Sequence, residues 1–199
     1  MCSEFRKESL EILRQPLEDK RIVIARANAT YTYPADFLLI AAANPCRCGY
    51  FPDRNRCSCS ELDVKRYMGK ISGPLLDRID LRVSISEIKY DEIANKDHAA
   101  VSSKQVRQEV LRARKIQAER FKEEGIATNS HMSTQLVEKY CFLGRDESDL
   151  LKESFEKLNL SARSYHKIIK TARTIADLAA SDDIKTEHIF EAIGYRIAL

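Results

Sequence analysis

Residues 37–48 read FLLIAAANPCRC, and this stretch decides the fold. Phe37 to Ala43 are apolar without a break, and Asn44-Pro45 stops the run. A short apolar run of this kind predicts a strand buried on both faces, as in parallel sheets covered by helices. In open α/β sheets, ligands sit outside the carboxyl ends of the strands. Asn44 falls at that end, where its amide can orient a water or a phosphate. Asn-Pro is also a common turn signal, so a plain turn is the competing reading.

Directly after it come Cys46, Cys48, Cys57 and Cys59, in the pattern C-x-C-x8-C-x-C. Four thiolates can complete a tetrahedral zinc shell. The C-x-C pairs are tighter than the usual two-to-four-residue spacing. An iron–sulfur cluster also takes thiolates, and a reduced loop without metal is the third alternative. Cys2 and Cys141 stand apart, and the four histidines are scattered.

Outward from the loop, Ser60 and Asp63 have capping-box spacing for a helix running to about Gly69. Ser72-Gly73-Pro74 is a turn, followed by a short helical turn that carries Arg78 between apolar residues. Leu81 to Ile85 alternate and predict a second sheet strand. Towards the N-terminus, residues 4–14 have the spacing of a short helix, which Pro16 ends. Ile22–Ala25 and Ala29–Tyr33 predict a hairpin with Asn28 in its turn.

Beyond residue 101 the pattern is almost wholly helical. Helices are expected at 103–123, 134–141, 147–158, 161–180 and 186–195. Helix 103–123 has apolar Val106, Val110, Ala113, Ile116 and Phe121 among many basic residues. Such a helix is either a solvated face or a phosphate-facing surface. In helix 161–180, Ser161 is the N-cap. Arg163, His166, Lys167, Lys170 and Arg173 fall on the face opposite the apolar one. Arg163 lies in the first turn, where a cation opposes the helix dipole. An anion beside it would account for its presence.

The chain has 199 residues, 44% apolar and 32% charged, with a net charge of +3. That composition is globular and does not by itself demand a nucleic-acid partner. No apolar run reaches the roughly 18 residues of a membrane span, and the N-terminus does not read as a signal peptide. No membrane partner and a cytoplasmic location are the expectations, and clustered cysteines suit a reducing compartment. The expected domains are 1–90, a linker at 91–101, and an all-α domain at 102–199.

Three stretches carry a family resemblance: FLLIAAANPCRCGYF at 37–51, ISGPLLDRIDL at 71–81 and LSARSYHKIIKTARTIADLAASDDI at 160–184. They closely resemble the magnesium-chelatase-like AAA+ ATPases, in the ComM/YifB branch linked to transformation and recombination. The resemblance runs from about Glu4 to Tyr195. It implies an α/β fold: the C-terminal part of a P-loop AAA+ core, with parallel strands and a β-hairpin insertion, then a helical lid. It implies that Asn44 is the sensor-1 residue, Arg78 the arginine finger and Arg163 the sensor-2 arginine. It makes Arg26 and Asn28 of the hairpin candidates to face DNA. ATP, Mg2+ and a homo-oligomeric ring, a hexamer, are implied for the complete protein.

The 199 residues depart from that family in one large respect. They contain no G-x-x-x-x-G-K-[ST] loop and no Walker-B acidic pair, so the expectation is a C-terminal fragment inactive on its own. Two other functions compete with a DNA motor. One is a magnesium-chelatase motor subunit for tetrapyrrole synthesis. The other is a non-enzymatic zinc protein that binds nucleic acid through helix 161–180.

Overall fold

A computed structural model describes residues 5–88 and 101–197. They form two compact units, one running to Ile79 and the other starting at Asp80. The expected linker at 91–101 lies, but for Val101, outside the described residues.

The first unit opens with helices α1 (Lys7–Ile12) and α2 (Arg14–Asp19). The expected single helix ending at Pro16 is thus corrected. Proline has no N–H to give the Ile12 carbonyl, so the ladder breaks, but Pro16 sits comfortably in the first turn of α2. Leu10, Ile71 and Leu75 form a small core with Leu13, Leu17 and Leu76. Lys20 closes α2 in the left-handed region at φ 54°. Strands β1 (Arg21–Arg26) and β2 (Ala29–Pro34) then form an antiparallel hairpin, with Ile22 opposite Tyr33 and Arg26 opposite Ala29.

Among the described residues, strand pairing is confined to this hairpin. The expected parallel strand at Phe37–Ala43 has no ladder, and Leu38 and Ile40 are 83% and 84% exposed. The physical reason is that a strand apolar on both faces needs strands on either side and helices above and below. The described residues do not supply them. Leu81–Ile85 likewise forms no strand, and Ile85 is 91% exposed. Arg82 N–H donates instead to the Tyr195 carbonyl.

After the cysteine loop come α3 (Glu61–Met68) and the four-residue α4 (Gly73–Leu76). Ser60 and Asp63 form the expected capping box, each satisfying the other's backbone N–H.

The second unit is all helical: α5 (Ser103–Arg120), α6 (Thr134–Tyr140), α7 (Arg145–Lys157), α8 (Ala162–Leu178) and α9 (Thr186–Ile197), with a 3₁₀ turn at Asn129–His131. Its core joins Phe121, Met132, Leu151, Ile168, Ile169, Ala172, Ile189 and Ile193. Helix α8 runs through the middle of it, because Ile168, Ile169, Ala172 and Ala176 recur at helical spacing. The apolar stripe expected along α5 is buried only at its C-terminal end. Val106 and Val110 are 46% and 44% exposed, while Ala113 and Phe121 are buried. None of the described helices is long and apolar enough to cross a membrane.

Candidate functional site

The cysteine loop is built by turns. Gly49 N–H donates to the Cys46 carbonyl, and Gly49 takes φ +88°, a conformation that side-chain-bearing residues rarely adopt. Further along, Cys57 N–H donates to the Asp53 carbonyl, and the Asp53 carboxylate accepts from Asn55 N–H. These bonds fold the x8 segment back on itself. They bring all four thiols within 4.8 Å of one another. Cys46 and Cys57 are buried against Val64, with Phe51 and Met68 packed alongside. Arg54 lies over the Phe51 ring and Arg56 over the Tyr50 ring, so the outer wall is cationic.

The sulfur separations test whether a metal fits. Cys46 to Cys48 is 3.3 Å, Cys48 to Cys57 3.5 Å, and Cys46 to Cys57 3.7 Å. A tetrahedron with Zn–S bonds of about 2.3 Å has edges of about 3.8 Å. A disulfide needs about 2.05 Å, and all four cysteines are free. A multi-iron cluster would spread its thiolates wider than a single ion does. The donor set therefore fits one tetrahedral ion of the zinc type. The thiols are also differentiated. Burial pushes Cys46 up, but hydrogen bonds from Phe51 N–H and the neighbouring thiols outweigh it and bring it down to about 6. Burial dominates at Cys57 and pushes it up to about 12.

Asn44 is half-buried where the chain enters this loop, with its amide nitrogen 3.6 Å from where a Gly49 Cβ would sit. Arg78 follows α4. Its guanidinium donates to the Pro74 carbonyl at 2.8 Å and pairs with Glu18 of α2 at 2.6 Å, leaving the side chain 14% exposed. The Glu18 partner has no signal in the sequence, because sixty residues separate the two. Arg26 and Asn28 are exposed at the hairpin tip. Arg163 is exposed in the first turn of α8, after the Ser161 cap. The structure thus gathers the four cysteines. Asn44, Arg78, Arg26 and Asn28 lie in the first unit, and Arg163 in the second.

One expectation for α8 is overturned. Arg173 does not face solvent with Lys167 and Lys170; it is 3% exposed. It donates to the Ser181 and Asp182 carbonyls and to Asp177, itself 1% exposed. Asp177 also accepts from Gln117, Asn129 and both terminal nitrogens of Arg120. The reason is local: residues 173 and 177 are one turn apart on the edge of the buried stripe, so each can neutralise the other there. That i, i+4 pair beside Ala172 and Ala176 was the available signal.

Two family profiles cover the chain almost end to end. "Magnesium chelatase, subunit ChlI" matches residues 1–93, and "Magnesium chelatase, subunit ChlI C-terminal" matches residues 100–196. The chain belongs to this magnesium-chelatase-like family. Among individual proteins, it is 39% identical over 194 residues to competence protein ComM of Haemophilus influenzae. It is 36% identical to YifB of Salmonella typhimurium and 34% identical to YifB of Escherichia coli, each over 194 residues. In all three, the match takes in 97% of this chain and 37% of the relative.

Proposed function

We propose that this chain is the sensor and lid portion of an AAA+ ATPase that couples ATP hydrolysis to DNA remodelling, by branch migration in recombination or natural transformation. The observation that carries this reading is the 39% identity to a competence protein across 97% of the chain. In it, Asn44 orients the attacking water, and Arg163 contacts nucleotide phosphates from the lid. Arg78 reaches the nucleotide of the neighbouring subunit in a hexameric ring. A planar guanidinium suits both arginine roles, because it offers fixed, paired donors. Glu18 and the Pro74 carbonyl hold Arg78 in a defined place, as a finger requires. The phosphate loop and the acidic pair come from outside these 199 residues, and Mg2+ comes with ATP. A zinc ion on the four cysteines fixes the loop that begins two residues after Asn44. Arg26 and Asn28 face DNA, and the assembly works in the cytoplasm.

A second reading, a magnesium-chelatase motor subunit for tetrapyrrole synthesis, draws on the wording of both family descriptions. The test is a chimera in which this chain replaces the matching 194 residues of Haemophilus ComM. Arg78→Ala is expected to cut turnover by about 10³ or more and to leave ATP affinity nearly intact, because a finger acts on charge developing in the transition state. Arg163→Ala is expected to weaken ATP binding as well. Mixing Arg78→Ala subunits with phosphate-loop-disabled subunits should restore turnover at mixed interfaces. Mixed rings whose rate never exceeds the weighted mean of the parents would exclude a finger acting in trans. Turnover that DNA does not stimulate would favour the second reading.

A further inference from the structure

The hairpin has two chemically distinct faces. The register places Ile22, Ile24, Arg26, Ala29, Tyr31 and Tyr33 on one of them, because side chains alternate along a strand and opposed residues share a face. The other face carries Arg21, Val23, Ala25 and the threonines. On the first face Tyr31 and Tyr33 are each 52% exposed, and their cross-strand partners Ile24 and Ile22 are 43% and 42% exposed. Two half-exposed aromatic rings beside two half-exposed isoleucines are costly to leave in water. The segment is also cationic: Lys20, Arg21 and Arg26 stand against Asp36 alone, which pairs with Lys20.

We infer that this face is a base-stacking platform for single-stranded nucleic acid, with Tyr31 and Tyr33 each taking one base and Arg26 taking a phosphate. The inference rests on the nucleic-acid reading above and specifies the state of the strand. Successive same-face residues on a strand are about 6.7 Å apart. That is twice the ~3.4 Å rise per nucleotide of a stacked strand. A stretched, unstacked single strand lays consecutive bases on consecutive rings, whereas a duplex keeps its bases closed in pairs. The cross-strand isoleucines flank the rings with apolar surface, and the arginine at the tip supplies the charge that an anionic backbone requires. A purely protein-covering face has no need of that cation at its edge.

The experiment uses the whole chain, a fluorescein-labelled oligothymidine, a duplex of equal length, and fluorescence anisotropy across a salt series. Tyr31→Ala and Tyr33→Ala are each expected to weaken oligothymidine binding about tenfold without changing the slope of log affinity against log salt. Phe at either position should restore binding. Leu, which keeps apolar bulk without an aromatic face, should not. Arg26→Ala should lower the salt slope by about 0.7. Far-UV circular dichroism checks that each variant is folded. If the tyrosine variants bind like the unmodified chain while Arg26→Ala weakens both ligands, stacking is refuted and the DNA reading stands. If neither single strand nor duplex binds, both fall. If sedimentation instead shows self-association that depends on Tyr31 and Tyr33, the face is a protein interface and the platform is refuted.

Discussion

Replacing Asp177 by asparagine tests the internal logic of the helical unit. The carboxylate is 1% exposed and accepts five hydrogen bonds from Gln117, Arg120, Asn129 and Arg173. These donors come from α5, the 3₁₀ turn and α8 itself, so one side chain ties three elements together. Asparagine keeps the shape but removes the charge and aims an N–H at a ring of donors. Removing one partner of a buried ion pair costs about 3–5 kcal/mol. Two features place Asp177→Asn at the low end. Arg120 is 13% exposed at its side chain and can turn towards water, and Arg173 keeps the Ser181 and Asp182 carbonyls. A loss of about 3 kcal/mol is therefore expected in urea unfolding followed by helical circular dichroism. Asp177→Ala should cost more, because a cavity is added. A loss under about 1 kcal/mol would mean that the guanidiniums do not depend on this carboxylate.

The same residue makes a pH prediction of definite sign. Burial pushes the Asp177 carboxyl up, but the bonds from Arg120 and Asn129 and the two guanidinium charges outweigh it, and the net shift is downwards. A depressed folded value means that the contribution is complete above the unfolded value of about 4. It is lost as pH falls through the folded value. The stability gap between the unmodified chain and Asp177→Asn should therefore be constant near neutrality and narrow only below about pH 4. A gap that widened on acidification would refute the ion-pair account.

Three further outcomes are expected. Purified protein should carry about one zinc ion per chain by elemental analysis, and Cys46→Ser with Cys48→Ser should abolish it; a freshly reduced preparation free of zinc, copper and iron would exclude the centre. In the ComM chimera, Glu18→Gln should lower kcat with little change in KM for ATP, since it loosens Arg78 without touching the ground-state nucleotide; an unchanged kcat would remove Glu18 as a positioning residue. Leu38→Ser with Ile40→Ser should reduce binding of an apolar fluorescent dye to the isolated chain, because both side chains lie more than four-fifths exposed; unchanged dye binding would place the accessible apolar surface elsewhere.

Legibility in the sequence followed the range of the interactions. Caps and short-range bonds were readable: Ser60 with Asp63 closes as a capping box, and Ser161 caps α8. The hairpin was readable because its turn fixes its register. The cysteines were readable as a set because all four lie within fourteen residues, and the turns needed to gather them are spelled by Gly49, Asp53 and Asn55. What stayed hidden was long-range and polar. Glu18 meets Arg78 across the fold, and Asn129 and Arg120 meet Asp177 from other elements. Nothing in a run of residues marks such meetings, except for the Arg173–Asp177 spacing. The strand reading of Phe37–Ala43 went astray for a different reason. Apolarity specifies that a segment wants covering, but a strand is a relation between segments, and the neighbours that would define it are not among those described.

That distinction separates the two units. In the helical unit Ile168, Ile169, Ile175, Ile189 and Ile193 of α8 and α9 pack into one core, and the buried Arg173 and Asp177 and the half-buried Arg120 satisfy one another. With a core of that size, its stability can be perturbed residue by residue. In the first unit the core reduces to a few leucines, one isoleucine and the cysteine cluster, while Leu38, Ile40 and the hairpin face stay in water. With apolar burial near 25 cal/mol per Å², so much uncovered surface is a standing drive towards association. The residues proposed to meet a neighbouring subunit or DNA, Arg78, Arg26, Tyr31 and Tyr33, all belong to this incompletely covered unit. Asn44 ends the uncovered run itself and leads into a loop that a single metal ion can make rigid without any neighbouring strand. A metal ion on the four cysteines would be most valuable here, because it would fix local geometry in the unit that leaves Leu38, Ile40 and the hairpin face exposed.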